Sequence, residues 1–362
     1  MADRVRGEVV VLNSNRFTVI DRIPVPDPTR FAMGTNLDLL AVTNQKANSV
    51  SFIDVSPTSS TFHTVVKTVA VGKGPTGIAW ESGNEDIFVC NEQGNSVSIL
   101  SPFSLEVRKT LLNQLNQPFD VAITPRQQGF GFNRGVYFAY ILNRNGRVSL
   151  FESGPDGVNG IGFDDIIGQT EFTFQNPRAI APDYIDLKSG VWIAHEGQLD
   201  AQGNATGLPG GAISNMVLAS ATTGPIPLEQ GIFPVPHLRD LAFEVASSIG
   251  GDQLTGIPVD LAFDNMRNYG GLPNFSTPFS QGTPVLTNGK GLVRSNPGLG
   301  IVNTTEPAYL FAAIPNSTQG GGAIDVISLG SGNLRVDTNQ FQAGVQSIPC
   351  PGVTGLMDYF RQ

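Results

Sequence analysis

Short runs of alternating apolar and polar residues, broken by Asn, Gly and Pro, recur along the whole chain and predict β-strands joined by tight turns. One such phrase, "AVTNQKANSVSFIDV" from Ala41 to Val55, returns as "FVCNEQGNSVSILSP" from Phe88 to Pro102, with the valine, both asparagines and the Ser-Val-Ser in register. Looser copies follow at Ala139–Ser153 ("AYILNRNGRVSLFES"), Gly210–Ser220 ("GGAISNMVLAS") and Gly320–Gly330 ("GGGAIDVISLG"). The N-terminal "RVRGEVVVLNS" holds only the second half of the phrase. Before each phrase stands a proline marker: "DPTRFAM", "GPTGIAW", "QPFDVAI", "NPRAIAP" and "IPVDLAF", with a weaker "VQSIPC" at Val345. From proline to proline the steps are 47, 43, 59 and 81 residues, and the short ones match a four-stranded propeller blade. Proline suits the first position of a strand, where no ladder donor is needed.

The "VTN" of Val42 to Asn44, followed by "NSVSFIDV" and "VVKTVAVGKGPTGIAW", resembles the YVTN repeat of surface-layer-type β-propeller proteins. The likeness is close from about Pro28 to Leu112, partial in the third repeat and faint beyond Asp183. It implies a propeller, a location at a cell surface, and roles in surface layers or adhesion-type modules; it assigns no catalytic residue. The expected fold is all-β, a six-bladed β-propeller of four-stranded blades filling one domain, 1–362. Its ring is closed by N-terminal strands near Gly7 and by the tail from Val345 to Phe360, because closure removes exposed sheet edges. Seven blades, the usual count implied by the resemblance, is the alternative, with 265–305 as the place for the extra one.

Three insertions interrupt the pattern, at 195–210, 234–256 and 265–305. In the second, Leu238, Leu241, Ala242, Val245, Ala246 and Ile249 recur at helical spacing between Pro236 and Gly250, which predicts one amphipathic helix. Strand alternation places it on the same face as the first insertion, as a cap over a channel mouth or a partner-binding lid. The loop Gly154–Asp165 and the 265–305 excursion fall on the opposite face.

Composition narrows the setting. Only 15% of residues are charged, so Asn, Gln, Ser and Thr cover much of the surface, as suits a secreted or cell-surface protein. The net charge is −9 with scattered basic residues, which argues against nucleic acid as a partner. No apolar run is long enough for a membrane helix. Cys90 and Cys350 read as buried thiols or as one bridge, and provide no disulfide framework or zinc knuckle. The N-terminus has no signal-peptide core. Either the protein is cytoplasmic or its signal is absent from this chain; the composition favours the second, with an extracellular, cell-surface or periplasmic location.

The candidate chemistry is sparse. The second residue after each marker proline is Arg30, Gly77, Asp120, Ala179 and Asp260, with Ser347 by alignment. On one face of the inner strands these line a channel, where Arg30, Asp120 and Asp260 would bind a cation or polar ligand or pair among themselves. The oxygen-rich turn holding Asp156, Asn159, Asp164 and Asp165 would take calcium as its cofactor if it binds a metal, and is otherwise an ordinary Asx-rich turn. On the insertion face His195 and Glu196 would meet His237, Arg239 and Asp240, which gives two histidines without a defined third metal ligand. No nucleophile elbow, Walker loop or dinucleotide fingerprint occurs in a strand–helix setting. These features point to a non-enzymatic binding or structural module with a protein or cell-surface partner, within a larger assembly. The rival is a metal-dependent hydrolase or lactonase using Asp120 and Asp260; a haem or quinone protein lacks its attachment motif.

Overall fold

The computed structural model describes all residues except 14–15, 17, 125–136, 154–163, 183–189, 226–235, 264–308, 319, 329–334, 337–346, 354 and 356–362. The chain is an all-β, six-bladed β-propeller built from antiparallel sheets. The first blade comprises β1 (Ala2–Asp3), β2 (Glu8–Leu12) and β3 (Val19–Pro24). The second holds β4 (Pro28–Met33), β5 (Leu39–Asn44), β6 (Ser49–Asp54) and β7 (Val65–Ala70), and the third β8 (Pro75–Trp80), β9 (Ile87–Asn91), β10 (Ser96–Ser101) and β11 (Glu106–Leu111). The fourth holds β12 (Pro118–Ile123), β13 (Phe138–Asn143), β14 (Val148–Glu152) and β15 (Asp165–Gln169). The fifth has β16 (Gln175–Pro182), β17 (Val191–Glu196), β18 (Gly211–Pro225) and β19 (Pro236–Gly250). The sixth has β20 (Asp260–Phe263), β21 (Tyr309–Ile314), β22 (Ala323–Ser328), β23 (Arg335–Val336) and β24 (Ser347–Pro349). By contact the chain forms two compact units, Met1–Ile123 with Ile141–Arg144, and Thr124–Tyr140 with Asn145–Gln362.

Within the first unit, neighbouring residues of one strand serve opposite cores. Ala41, Val50 and Phe52 pack against Ile78, Ile87, Val89 and Leu100 of the next blade, while Val42 and Ile53 pack against Val9, Ile23 and Val25 of the preceding one. That is why the middle strands are apolar on both faces and β6 is buried at every position. In the second and third blades the marker proline opens the inner strand and pairs with the asparagine that ends the next strand, Pro28 with Asn44 and Pro75 with Asn91, and a register shift follows in both. A second shift recurs where the third strand meets the outer one, at Phe52/Ile53, Ile99/Leu100 and Leu150/Phe151. Bulges at the outer position twist the edge away from flat pairing. The inner strands β8 and β12 come so close that a Cβ on Gly77 would lie 2.6 Å from the Cα of Asp120. Only glycine fits there.

The fifth blade corrects the expected helix. Pro236–Gly250 is strand β19, paired with β18 along its length from Ala212↔Gly250 to Pro225↔Pro236. Burial over its second half follows period two: Leu241, Phe243 and Val245 are covered, while Ala242, Glu244 and Ala246 are exposed. The apolar residues fit both periods, and the long partner strand decides for the sheet. Among the described residues the sole helical segment is a 3-10 turn at Gly251–Gln253; no helix is long and apolar enough to cross a membrane. The paired ends Pro225 and Pro236 therefore lie at the end of the blade opposite the 195–210 insertion, not on the same face.

The tail is also placed differently from the expectation. Ser347–Pro349 pairs with β22 at Ala323, Ile324 and Asp325 and shares the outer position of the sixth blade with β23. "VQSIPC" is thus not an inner strand, and Ser347 is not a channel position. The last residues, 356–362, and the proposed seventh-blade segment 265–305 lie outside the described residues.

Candidate functional site

The repeated asparagines turn out to be the polar framework of the blades. At the end of β5, Asn44 Nδ2 donates to Ser49 Oγ at 3.0 Å and Ser51 Oγ at 2.8 Å; at the end of β9, Asn91 Nδ2 donates to Ser96 Oγ at 3.1 Å and Ser98 Oγ at 2.9 Å. Both asparagines are fully buried. Ser51 Oγ continues to Thr68 Oγ1 of the outer strand at 3.2 Å, so three strands share one polar row. The second asparagine of the phrase has a different task. Asn48 and Asn95 adopt positive φ in the turn, which Asn tolerates, and their Oδ1 atoms accept the backbone N–H groups of Gly74 and Gln117 in the link to the next blade. Truncating Asn91 to alanine strands two buried hydroxyls, and unfolding in urea is expected to show a loss of about 2 kcal/mol. In a double-mutant cycle with Ser98→Ala the two losses should fall short of adding; strict additivity would contradict the bond.

In the fifth blade His195 occupies the asparagine's position. Its Nδ1 lies 3.0 Å from the carbonyl of Glu196, which can only accept, so Nδ1 carries the proton and Nε2 accepts from Ser214 Oγ at 2.7 Å. Ser214 Oγ in turn meets Ser248 Oγ at 2.8 Å, and Phe174 packs edge-on to the imidazole at 5.1 Å. The histidine is fully buried, and burial pulls its pKa from 6.5 down to about 4, opposed in part by the Glu196 bond. A serine hydroxyl on a neutral histidine has the local geometry of a nucleophile and base. Here a carbonyl replaces the orienting carboxylate and the pair lies between strands, so the arrangement holds the sheet.

The inner-strand positions expected to line a channel fall in both units. In the first, the inner strands are stitched in order: Thr43 Oγ1 donates to the Thr76 carbonyl at 3.0 Å and Thr76 Oγ1 to the Phe119 carbonyl at 3.0 Å. Arg30 is half-buried on β4, with its backbone N–H on Thr43 Oγ1, and half-buried Asp120 sits on β12 with Gly77 packed against it. Asp260, on β20 of the second unit, is 4% exposed. Asp120 and Asp260 share one local bond, each Oδ1 accepting the N–H of the following residue, at 3.0 and 3.1 Å.

Of the other expected residues, Glu196 is held on the surface by Arg178 at 2.7 Å and Asn176 at 3.0 Å, which keep its carboxyl below the usual range. His237 and Arg239 pair with Gly224 and Thr222 on the far part of the β18–β19 ribbon, beside Asp240. At the rise of an extended strand this is roughly 40 Å from the Glu196 end, so the two groups do not come together. Asp156 and Asn159 lie outside the described residues, while Asp165 Oδ1 caps the N–H of Ile166 at 2.8 Å and Asp164 has positive φ before it. Among the described residues no group of three His, Cys, Asp or Glu is placed to hold a metal. Cys90 and Cys350 are free, and burial raises the Cys90 thiol well above its ordinary range. Missed in the sequence was Asp325, buried in the sixth blade, which accepts the N–H and hydroxyl of Thr255 at 2.8 and 2.6 Å and so ties the link to the sheet. The signal was its place in the copy "AIDVIS", where other blades carry the second serine.

No protein-family model matches the chain, and no curated protein matches it. Among solved structures it is similar to the Kuenenia stuttgartiensis hydrazine synthase, at 13% identity and a TM-score of 0.51 over 89% of this chain and 71% of that one. A chain of a mitotic checkpoint complex is similar at 10% identity and a TM-score of 0.39, over 59% and 57%. At such identities the first likeness shows the propeller fold alone, and the second carries no argument.

Proposed function

We propose that this protein is a YVTN-type propeller acting as a non-enzymatic binding or structural module outside the cytoplasm, on a cell surface, in a periplasm or within a larger assembly. The observation that carries the reading is where the repeat's polar groups go. The Nδ2 groups of Asn44 and Asn91, the His195 ring and their serines are taken up in bonds between strands, so the repeat builds a rigid scaffold and leaves its turns and outer strands to make contacts. The external location rests on a surface with few charges and many amides and hydroxyls. The second reading, a metal-dependent hydrolase or lactonase, is favoured by one observation, the same local hydrogen bond at Asp120 and Asp260.

Metal analysis of the purified chain separates the two. The expected result is less than one equivalent of calcium and a melting temperature unchanged by chelator. Stoichiometric calcium whose removal lowers the melting temperature, and which Asp120→Ala releases, would establish the hydrolase reading instead. Calcium lost on Asp164→Ala with Asp165→Ala would mark a structural clip in the Asp156–Asp165 turn.

A further inference from the structure

We infer that the outer rim of the first three blades is a twofold interface between two copies of this chain. Seven apolar side chains stand exposed where outer strands begin: Val19 (48%) and Ile20 (57%), Phe62 (38%), Val65 (36%) and Val66 (43%), and Phe103 (81%) and Val107 (36%). They form one band, because two bonds between blades close the gaps. His63 Nδ1 meets Asp21 Oδ2 at 3.1 Å, joining the first blade to the second, and Phe62 stacks on the His63 ring at 3.7 Å. Lys67 Nζ donates to the Ser104 carbonyl at 2.7 Å and reaches Glu106 at 3.4 Å, joining the second to the third.

The size, charge and shape of this band select a second copy as its occupant. The exposed apolar area is on the order of 500 Å², at the upper end for the largest patch of a typical monomer. A standard interface takes roughly 800 Å² from each partner, of which a little over half is apolar, so the band supplies the apolar part of one such interface. Beside it Lys67 is paired with Glu106 and Arg22 with Glu8 within the chain, and the Asp21 carboxylate is hydrogen-bonded to His63, so two copies of the band meet with these groups already engaged despite the net charge of −9. One end carries the projecting Phe103 ring and the other the shorter, β-branched Val19 and Ile20, with Phe62 and Val66 between. A twofold axis at the centre brings each Phe103 onto the partner's Val19 and Ile20, the self-complementary pattern of an isologous contact.

The test is sedimentation equilibrium of the full chain over about 1–100 μM, the span where a standard-size contact of modest affinity is read. The expected result is a reversible dimer. Phe103→Asp and Ile20→Lys should each weaken it at least about thirtyfold, because in a twofold contact each change sets an unpaired charge against apolar side chains at both ends, with melting temperatures unchanged because both side chains are exposed. Mixing the two variants should restore a dimer, since the mixed pair opposes the introduced acid and base at one end and keeps Phe103 on Ile20 at the other. A monomeric wild-type chain overturns the proposal, as does a dimer indifferent to both changes, or variants that fail to complement. Wild-type chain that is monomeric but floats with neutral phosphatidylcholine vesicles, and loses this on Phe103→Asp, overturns it in favour of a lipid surface. None of these outcomes bears on calcium in the channel, so this proposal and the non-enzymatic reading fail separately.

Discussion

Gly146→Ala should lower the free energy of unfolding by about 3 kcal/mol, read as a shift of the urea midpoint at constant slope. Two costs combine at this position. Gly146 has φ of +86°, in the left-handed region where a side chain costs about 1–2 kcal/mol, and its Cβ would lie 2.3 Å from the carbonyl oxygen of Phe174. That oxygen is backbone and cannot swing away. The Phe174 N–H also donates to the Gly146 carbonyl at 2.8 Å, which pins the approaching segment from the other side. In the second and third blades Asn48 and Asn95 occupy the corresponding positive-φ position and reach the next link through their side chains; here the link itself comes down on the turn. Asn145→Ala, one residue away, serves as the control and should cost under about 1 kcal/mol. Equal effects of the two changes would mean that Phe174 does not sit against the turn.

The second large effect is a pH dependence carried by His195. Its folded pKa is about 4 against 6.5 in the unfolded chain. Between those values the unfolded chain binds a proton that the folded one refuses. The folded state therefore keeps its full stability above about pH 6.5 and loses it as the pH falls, by about 2 kcal/mol at pH 5 and about 3 near pH 4. Asp325 works in the opposite direction, since burial raises its carboxyl and protonation then favours the folded state as the pH drops. The difference between wild type and His195→Asn isolates the histidine, because asparagine is the residue the same position holds in three other blades and can still meet Ser214. The expected outcome is that the stability difference between the two proteins, followed by urea unfolding from pH 7 to 4.5, moves toward the variant as acid is added. Parallel curves would show that His195 is solvated or already charged in the folded protein.

The repeat phrase foretold more of this fold than any other stretch. "VTN" followed by "NSVS" located two strands, their turn and the proline of the next inner strand, and the spacing of the prolines led to six blades. This worked because blade geometry is local: a four-stranded antiparallel meander pairs only neighbours in sequence, so its register is written in consecutive residues. The β18–β19 ribbon was misread for the opposite reason. Leu238, Leu241, Val245 and Ile249 satisfy a helical period, while Leu241, Phe243 and Val245 satisfy a strand period, and nothing within the segment chooses between them. The choice was made by a partner strand, with Leu241 against Gly168 of the neighbouring blade, where a glycine Cβ would come within 2.6 Å of the leucine. The tail erred similarly: "VQSIPC" resembles an inner-strand marker, but β22 offered an open outer position beside β23.

Site residues were legible where their role is local and hidden where it depends on the neighbouring strand. Arg30, Asp120 and Asp260 could be assigned to inner strands from alternation. That His195 is a substitute for a framework asparagine, rather than a ligand beside His237, could not be seen until Ser214 and Ser248 were placed opposite it. By itself, then, the sequence determined the strand pattern, the blade repeat and the polar character of the surface, because these follow from periodicity and composition. The tertiary structure decided which asparagines and histidine are buried between strands, which apolar residues form a continuous outer rim, and that Pro236–Gly250 is a strand. Each of those depends on contacts between segments distant in sequence, whose desolvation and hydrogen bonding no local pattern records.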